Sequence, residues 1–374
     1  MTNLRNVRAA VAHHWFLNMA GGEKVCEAIC EILDTPDLYS IVADPQSMSP
    51  TLKKSPIHTS FIQKLPNARK FYRYYAALFP LSVESFDLTS YDLVISSDSS
   101  VVKGVKTIPE TCHICFCHSP MRYAWNAFHD YTREFGLIKK SLSSIVMSYL
   151  AMFDFSASAR VDYFVAPSET SKRRIGKYYR RKAVVIHPPC DIDRFKPADK
   201  IDDYYLFVGR LVAYKRADLA VKACSLNGSR LLVVGDGPEI AKLKSMASRN
   251  VEFLGWVSDD DLSTIYAKCK ALIFPGEEDF GIVPVEVQAS GRPVIAFGRG
   301  GALESVIPDV TGLFFYRKTP ESLSEAMRKF ERRIGQFCPG KIVDNATRFS
   351  KQKFLTAFEN FVTTSLEKHC SKFS

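Results

Sequence analysis

Nothing in this 374-residue chain approaches the run of about twenty apolar residues that a membrane-crossing helix requires. The opening segment MTNLRNVRAAVAHHWF passes directly into a strand-like stretch, without the separate short apolar region of a cleavable signal. A cytoplasmic protein is therefore expected, with its ten cysteines as free thiols. Short-period repeats and low-complexity tracts are missing, which excludes a solenoid and a fibrous chain. A hydrophobic content of 46% excludes a disordered chain. There is no recognition-helix, zinc-finger or single-strand-binding signature, so nucleic acid is not an expected partner.

Metal ligands are also scarce. Cys112, His113, Cys115, Cys117 and His118 fall within seven residues and invite a zinc reading. No second cluster with ligand spacing accompanies them, and THICFCHSP reads as a short strand whose small thiols pack inward. No metal and no cofactor are expected.

What is present is a two-domain rhythm. The length exceeds one ordinary core and suits two of similar size. In the first half, strands are predicted over Val7–His13, Leu38–Val42, Tyr91–Ser96, Thr111–Cys117, Tyr163–Ala166 and Val184–His187. A helix is predicted from Glu23 to Leu33, where Val25, Ala28, Ile29 and Leu33 recur at helical spacing. Strands alternating with helices imply parallel sheets, which bind ligands at the carboxyl ends of their strands. The polar, three-proline stretch from His187 to Tyr205 reads as an exposed hinge. The predicted domains are residues 1–197 and 198–346, followed by an amphipathic helix over 347–374 with Phe354, Leu355, Phe358, Phe361, Val362 and Leu366 on its apolar side.

The most informative string is FPGEEDFGIVPVEVQASGRPVIAFGRGGALESV, Phe274 to Val306. A buried strand ends at Pro275-Gly276, a helix resumes near Val285, and Glu278 and Glu286 lie on either side of Gly281. That glycine lets the backbone approach a ligand, and the free amides of Ile282 and Val283 point where a helix favours an anion. Upstream, LFVGRLVAYKRAD carries Gly209, Arg210 and Lys215 on a turn that opens a helix, and two cations five residues apart suit a diphosphate. Between them lies the strand-ending turn Gly255-Trp256-Val257, in which Trp256 fits either packing or ligand stacking.

Taken whole, EEDFGIVPVEVQASGRPVIA with GRGGALE and LFVGRLVAYKRAD resembles the donor site of retaining nucleotide-sugar glycosyltransferases of family four. Within that family it looks like the bacterial mannosyltransferases of polysaccharide and O-antigen assembly. The resemblance implies the GT-B fold: two Rossmann-like domains facing a central cleft, the last helix crossing back to the first. It implies that Arg210 and Lys215 grip the diphosphate, that Glu278 faces the sugar hydroxyls with Phe280 beside it in the motif, and that the base and ribose lie near Gly255-Trp256-Val257. Glu286 would bind the ribose. CHSPMRYAWNAF resembles the family's histidine motif and marks His118 as a catalytic candidate, with Asn126 standing where an acid is usual. NMAGGEKV resembles the acceptor-side glycine loop, Gly21 and Gly22, whose turn is expected to close over the cleft. His13-His14-Trp15 departs from the family's histidine-aspartate-tryptophan, so no acceptor base carries over to position 14.

The implied reaction moves a hexose, foremost mannose from GDP-mannose, to a lipid-linked saccharide. The nucleotide sugar is then a substrate, not a cofactor. With no obvious nucleophile in the motif, front-face substitution is expected, the leaving phosphate taking the acceptor's proton and Arg210, Lys215 and the amides after Gly281 replacing a metal. Alternatives are a UDP-sugar donor, an epimerase or phosphorylase of the same fold, and a non-catalytic sugar-binding protein. The net charge of +10 lies mostly in the first half. There, Ala68–Leu81 and Leu137–Phe155 mix cations with aromatics, which suits peripheral attachment to an anionic inner leaflet.

Overall fold

The computed structural model describes residues 4–125 and 137–373, so Asn126 lies outside the described residues. The chain divides into two compact units, Met1–Pro189 with Gln352–Ser374, and Cys190–Lys351.

The first unit is built on seven strands: β1 Ala9–Phe16, β2 Asp37–Ala43, β3 Ile57–Thr59, β4 Leu93–Asp98, β5 Cys112–Cys117, β6 Tyr163–Ala166 and β7 Ala183–Val185. Their order is β3-β2-β1-β4-β5-β6-β7, with every pairing parallel. The chain winds outward from β1 in one direction and then, from β4, in the other, so the switch point lies between β1 and β4. Buried on both faces, the inner strands β2, β1, β4, β5 and β6 are largely apolar. Val11, Leu93 and Ile95 face one hydrophobic cluster, while Ala10, Ala12 and Val94 face another. The helix Gly21–Leu33 covers the first face with Val25 and Ile29. So does the C-terminal helix Lys351–Cys370, whose Phe354, Phe358, Val362 and Leu366 form one stripe of four-residue spacing. Phe116 of β5 meets Phe354 and Phe358 ring to ring at 6.0 and 6.1 Å, so the last helix does return to the first sheet.

The second unit repeats the plan with β8 Tyr205–Val208, β9 Leu231–Val234, β10 Val251–Gly255, β11 Ala271–Phe274, β12 Val294–Phe297 and β13 Gly312–Phe315. Their parallel order is β10-β9-β8-β11-β12-β13, with the switch point between β8 and β11.

Three segments differ from the sequence reading. β3 is a three-residue edge strand with a mostly exposed pattern, too short to show periodicity. Ala68–Leu81 is not a regular helix but a turn of α-helix over Ala68–Phe71, a 3-10 stretch over Tyr72–Leu78, and the start of a helix over Phe79–Glu84. The hinge stretch packs on the second unit from Cys190 onward. Cys190 pairs with Phe349 and Lys351 through backbone hydrogen bonds of 3.1 and 2.9 Å, and Phe195 is buried. Its apolar residues override the expectation drawn from its prolines.

Candidate active site

Each switch point gathers a cluster of polar residues, and each cluster is described within its own unit. In the second unit, Gly209 and Arg210 follow β8 directly. The chain then forms a 3-10 turn, Ala213–Lys215, before the helix Ala217–Asn227. Lys215 turns back over Gly209. A Cβ on Gly209 would lie 3.2 Å from the Lys215 ammonium, and Gly209 itself holds a positive φ of 150°. From the neighbouring strand β11 comes Glu278, and Lys215 Nζ donates to its Oε1 at 2.8 Å, the two side chains only 15% and 19% exposed. Arg210 is exposed and forms no salt bridge among the described residues.

The loop after β11 is held by glycines on both sides. Gly301 N–H donates to the Glu278 carbonyl at 2.9 Å, and a Cβ on Gly301 would come within 2.2 Å of Phe280 Cα. Gly281, at φ 83°, then opens the helix Ile282–Ala289 without any side-chain cap, leaving its first amides uncapped by a side chain. Phe280 is buried, its ring 5.5 Å from Phe349, which fixes the turn from below. Ile282 and Val283 are half-buried. One turn along, Glu286 Oε2 accepts from Tyr266 OH at 2.9 Å. Gly255 ends β10 at φ 67°, Val257 packs at the edge of the core, and Trp256 is 83% exposed, so the packing reading of this tryptophan does not hold.

In the first unit, sheet order does what sequence distance conceals. His13 of β1 lies beside Ser97 of β4, and His118 follows β5. His13 Nδ1 donates to the Ser97 carbonyl at 2.9 Å, while the Ser97 hydroxyl meets His118 Nε2 at 2.8 Å. Glu23, on the first turn of the helix Gly21–Leu33, accepts from Ala20 N–H at 3.1 Å and brings its other oxygen to 3.6 Å from His13 Nε2. The fully buried His13 would lose its proton through desolvation, but Cys26 and Glu23 outweigh this and hold it well above the usual imidazole range. His118 shows the opposite. Burial, then the neighbouring His13, pushes it down to about 4, so at neutral pH it is an uncharged ring with Nε2 on Ser97.

Gly21 and Gly22 are not the loop that the sequence suggested. They are the first two helical residues, neither with a positive φ. Gly22 is required for space. A Cβ there would lie 3.1 Å from His13 Cε1 and 3.7 Å from His118 Nε2. Nothing within 4 Å would meet a Cβ on Gly21.

Beneath this cluster, the carboxylate of Asp98 receives Lys103 Nζ at 2.8 Å in a fully buried pair, and the same ammonium contacts Asp154. Asp154 also accepts from Trp125 Nε1 at 2.6 Å and Tyr179 OH at 2.7 Å. The network ties Trp125 of the histidine motif and the helix Leu137–Ser158 to the end of β4. Sequence reasoning missed Ser97, His13, Glu23 and this network. The available signal was polarity at a strand's carboxyl end, as in Ser96-Ser97-Asp98.

With this geometry in view, the comparisons with known proteins can be placed. Residues 191–333, nearly all of the second unit, match the family described as Glycosyl transferases group 1. A D-inositol 3-phosphate glycosyltransferase of Mycobacteroides abscessus is 31% identical over 190 residues, 44% of this chain and 43% of that protein. An uncharacterized glycosyltransferase of Methanocaldococcus jannaschii is 29% identical over 175 residues, 45% of this chain and 49% of its own. The chain thus spans about half the length of the curated relatives it matches. In structure the similarity covers both units. Sucrose-phosphate synthase from Thermosynechococcus elongatus superposes with a TM-score of 0.71 at 16% identity, covering 96% of this chain and 99% of that one. Anabaena HepE, solved with UDP, gives 0.68 at 16% identity over 96% and 100%. The fold is therefore the pair of parallel-sheet α/β units of GT-B glycosyltransferases, and the sequence similarity is to group 1.

Proposed function

We propose that this protein is a retaining glycosyltransferase that moves a hexose from a nucleotide sugar, foremost mannose from GDP-mannose, to a lipid-linked saccharide. The observation that carries this reading is the meeting of the Lys215–Glu278 pair with the glycine-bounded start of the helix Ile282–Ala289 at the β8/β11 switch point. An ammonium, an exposed Arg210 and uncapped helix amides suit a diphosphate that gains charge as it leaves. With cations and amides at that group, the transfer needs no divalent ion there. Glu278, which already orients Lys215, is poised to exchange that contact for sugar hydroxyls, and the uncharged His118 offers a hydrogen bond to the transferred sugar. Glu286 and the Gly255-Trp256-Val257 turn would take the ribose and base, the exposed indole providing a stacking face. Gly21 and Gly22 would flank the acceptor.

Attachment to an anionic membrane surface is part of the proposal. Among the described residues no helix is long and apolar enough to cross a bilayer. Yet the helix Leu137–Ser158 exposes Ile145, Tyr149, Met152 and Phe155, spaced along one side. Exposed Phe71, Tyr74, Leu78 and Leu81 lie on the segment that carries Arg69, Lys70 and Arg73. Apolar side chains with basic neighbours are the composition of an interfacial surface.

A second acceptor reading draws on the Mycobacteroides abscessus relative, named for D-inositol 3-phosphate: a soluble phosphorylated polyol. Purified protein incubated with a panel of GDP- and UDP-sugars, with lipid-linked saccharide or inositol phosphate, separates these readings. The expected product retains the donor's anomeric configuration by NMR and forms with GDP-mannose. An inverted product, or no transfer from any nucleotide sugar, defeats the proposal.

A further inference from the structure

At the amino ends of β5 and β6, opposite the strand ends that carry His118, lies a cluster that the transfer reaction does not use. Cys112 begins β5, Asp162 immediately precedes β6, and His369 comes from the last turn of the C-terminal helix. One ligand atom from each lies within 4.8 Å of the others. All three belong to the first unit.

The hydrogen bonds decide what these atoms can do. His369 Nε2 lies 2.9 Å from the Pro109 carbonyl, which can only accept, so that nitrogen carries the proton. Nδ1 is the nitrogen turned toward Asp162. It is buried, without a hydrogen-bond partner among the described residues, and 3.8 Å from Asp162 Oδ1, in a side chain only 4% exposed. Asp162 Oδ2 is engaged by the His113 amide at 2.9 Å, which leaves Oδ1 as the oxygen that faces the histidine. The Cys112 side chain is fully buried in the same place. A second orphan, the Tyr163 hydroxyl, is buried without a partner on the residue after Asp162. A ring nitrogen and a carboxylate oxygen thus face each other at 3.8 Å, beyond hydrogen-bond distance, beside a buried thiol.

We propose that Cys112, Asp162 and His369 bind a thiophilic divalent cation of the zinc class, which fastens the end of the C-terminal helix to the sheet of the first unit. A thiolate, an imidazole and a carboxylate are a borderline-soft donor set that suits zinc rather than magnesium or calcium. In a tetrahedral site with bonds of about 2.0 to 2.3 Å, ligand atoms stand roughly 3.3 to 3.8 Å apart. The His369–Asp162 separation of 3.8 Å is a few tenths of an ångström wider than the roughly 3.4 Å of a nitrogen and an oxygen on one such ion. Closing the rest requires side-chain movements of about 1 Å. The imidazole held by a backbone carbonyl through its other nitrogen is the usual outer-shell support of a metal-ligating histidine. Binding expels the Cys112 proton to solvent, and a water completes the fourth position. The role is structural, and it is independent of how the sugar is transferred.

The full-length protein, stripped with chelator and titrated with Co2+, tests this without any variant. One equivalent should produce a thiolate-to-cobalt charge-transfer band together with the intense d–d bands of a tetrahedral site. Zn2+ should displace the cobalt and raise the melting temperature by several degrees. Cys112→Ser, which nearly keeps the shape, and Asp162→Asn, which keeps an acceptor for the His113 amide, should each weaken binding about tenfold or more. Cys338→Ser, on the other unit, should leave the spectrum unchanged. Absence of a tetrahedral cobalt–thiolate spectrum in the wild-type protein overturns the proposal. So does a spectrum that survives unchanged in Cys112→Ser, which would place the metal on another thiol.

Discussion

The two sheets share a strand order on either side of their switch points, yet their ligand-facing ends are made of different material. All seven histidines among the described residues fall outside residues 190–351 and so belong to the first unit. Its switch point is a buried knot of imidazoles, a serine and a glutamate, in which burial keeps His118 neutral while Cys26 and Glu23 hold the proton on His13. The second unit's switch point holds an ammonium, a carboxylate, an exposed guanidinium and backbone amides framed by glycine. One fold plan thus supports two chemistries. The first suits short hydrogen bonds to neutral hydroxyls, and the second suits charge that appears during reaction.

The strongest way to break the comparison is to remove the charge on the second side. Lys215→Ala should lower turnover by about a hundredfold, because it deletes a cation at the leaving group and also frees the half-buried Glu278 carboxylate. Arg210→Ala, whose side chain is exposed and unanchored, should cost roughly tenfold. Melting curves close to wild type would show that the fold is intact, and wild-type turnover in both would remove the diphosphate grip.

Much of that second site was legible in the sequence, because its parts are local. Gly209, Arg210 and Lys215 lie within seven residues, and Glu278 to Glu286 within nine. The turn glycines of each segment announce where the backbone comes close. What the sequence did not show is that Lys215 and Glu278 pair, 63 positions apart, since this depends on β8 and β11 being neighbours. The first site was far less legible. His13, Glu23, Ser97 and His118 span more than a hundred positions, and only the placement of β1 between β2 and β4 unites them. Gly21 and Gly22 were noticed, but as a turn. Their helical conformation and the space that Gly22 leaves for His13 follow from tertiary packing. Lys103 sits in the apolar stretch VVKGV, where nothing reveals two aspartates waiting for it.

The surface attached to the first unit gives the next effect. Replacing Arg69, Lys70 and Arg73 together should reduce partition onto anionic vesicles by on the order of a hundredfold, at about 1 kcal/mol for each basic residue. Transfer to a water-soluble acceptor analogue should be unaffected. Sedimentation with vesicles at low and high salt reads this, and binding indifferent to both salt and the triple change would leave these segments as ordinary packed surface.

Gly22→Ala sharpens the contrast within the first site. The new methyl group would lie 3.1 Å from the buried His13 ring, tighter than ordinary van der Waals contact, so the imidazoles must shift by a few tenths of an ångström. A loss of about tenfold in turnover is expected, with the donor's affinity unchanged. Gly21→Ala, where a Cβ meets nothing, should be neutral. Equal effects from the two substitutions would contradict the spatial role of Gly22.

Acid should act on one unit and spare the other. His113 and His118 are each pushed down to about 4 by burial, and His14 is also lowered by burial and by His13. Their unfolded forms bind protons near pH 6.5, so the unfolded state takes up more protons between about 6.5 and 4. Stability from these groups is present above that window and is lost as pH falls through it. His13 works the other way. Its raised value contributes fully below about 6.5 and fades as pH rises through it, so it does not offset the acid loss. Hydrogen exchange across this range should show amides of β1, β4 and β5 losing protection in acid before those of β8 and β11, and a uniform loss would mean that the histidine cluster does not govern it.

Addition of magnesium or manganese is expected to have the smallest effect, changing turnover by less than about twofold, because in the proposed reaction Lys215, Arg210 and the helix amides would serve the diphosphate. A strict requirement for either ion would reassign that role.

The central claim is that the β8/β11 switch point grips a diphosphate. Calorimetric titration of the full-length protein with GDP and GMP, repeated with UDP and UMP, tests it most directly. The expected result is that one diphosphate binds at least tenfold more tightly than its monophosphate, and that this difference collapses in Lys215→Ala while the monophosphate affinity barely moves. Equal affinity for diphosphate and monophosphate in the wild-type protein, or an undiminished difference in Lys215→Ala, would contradict it.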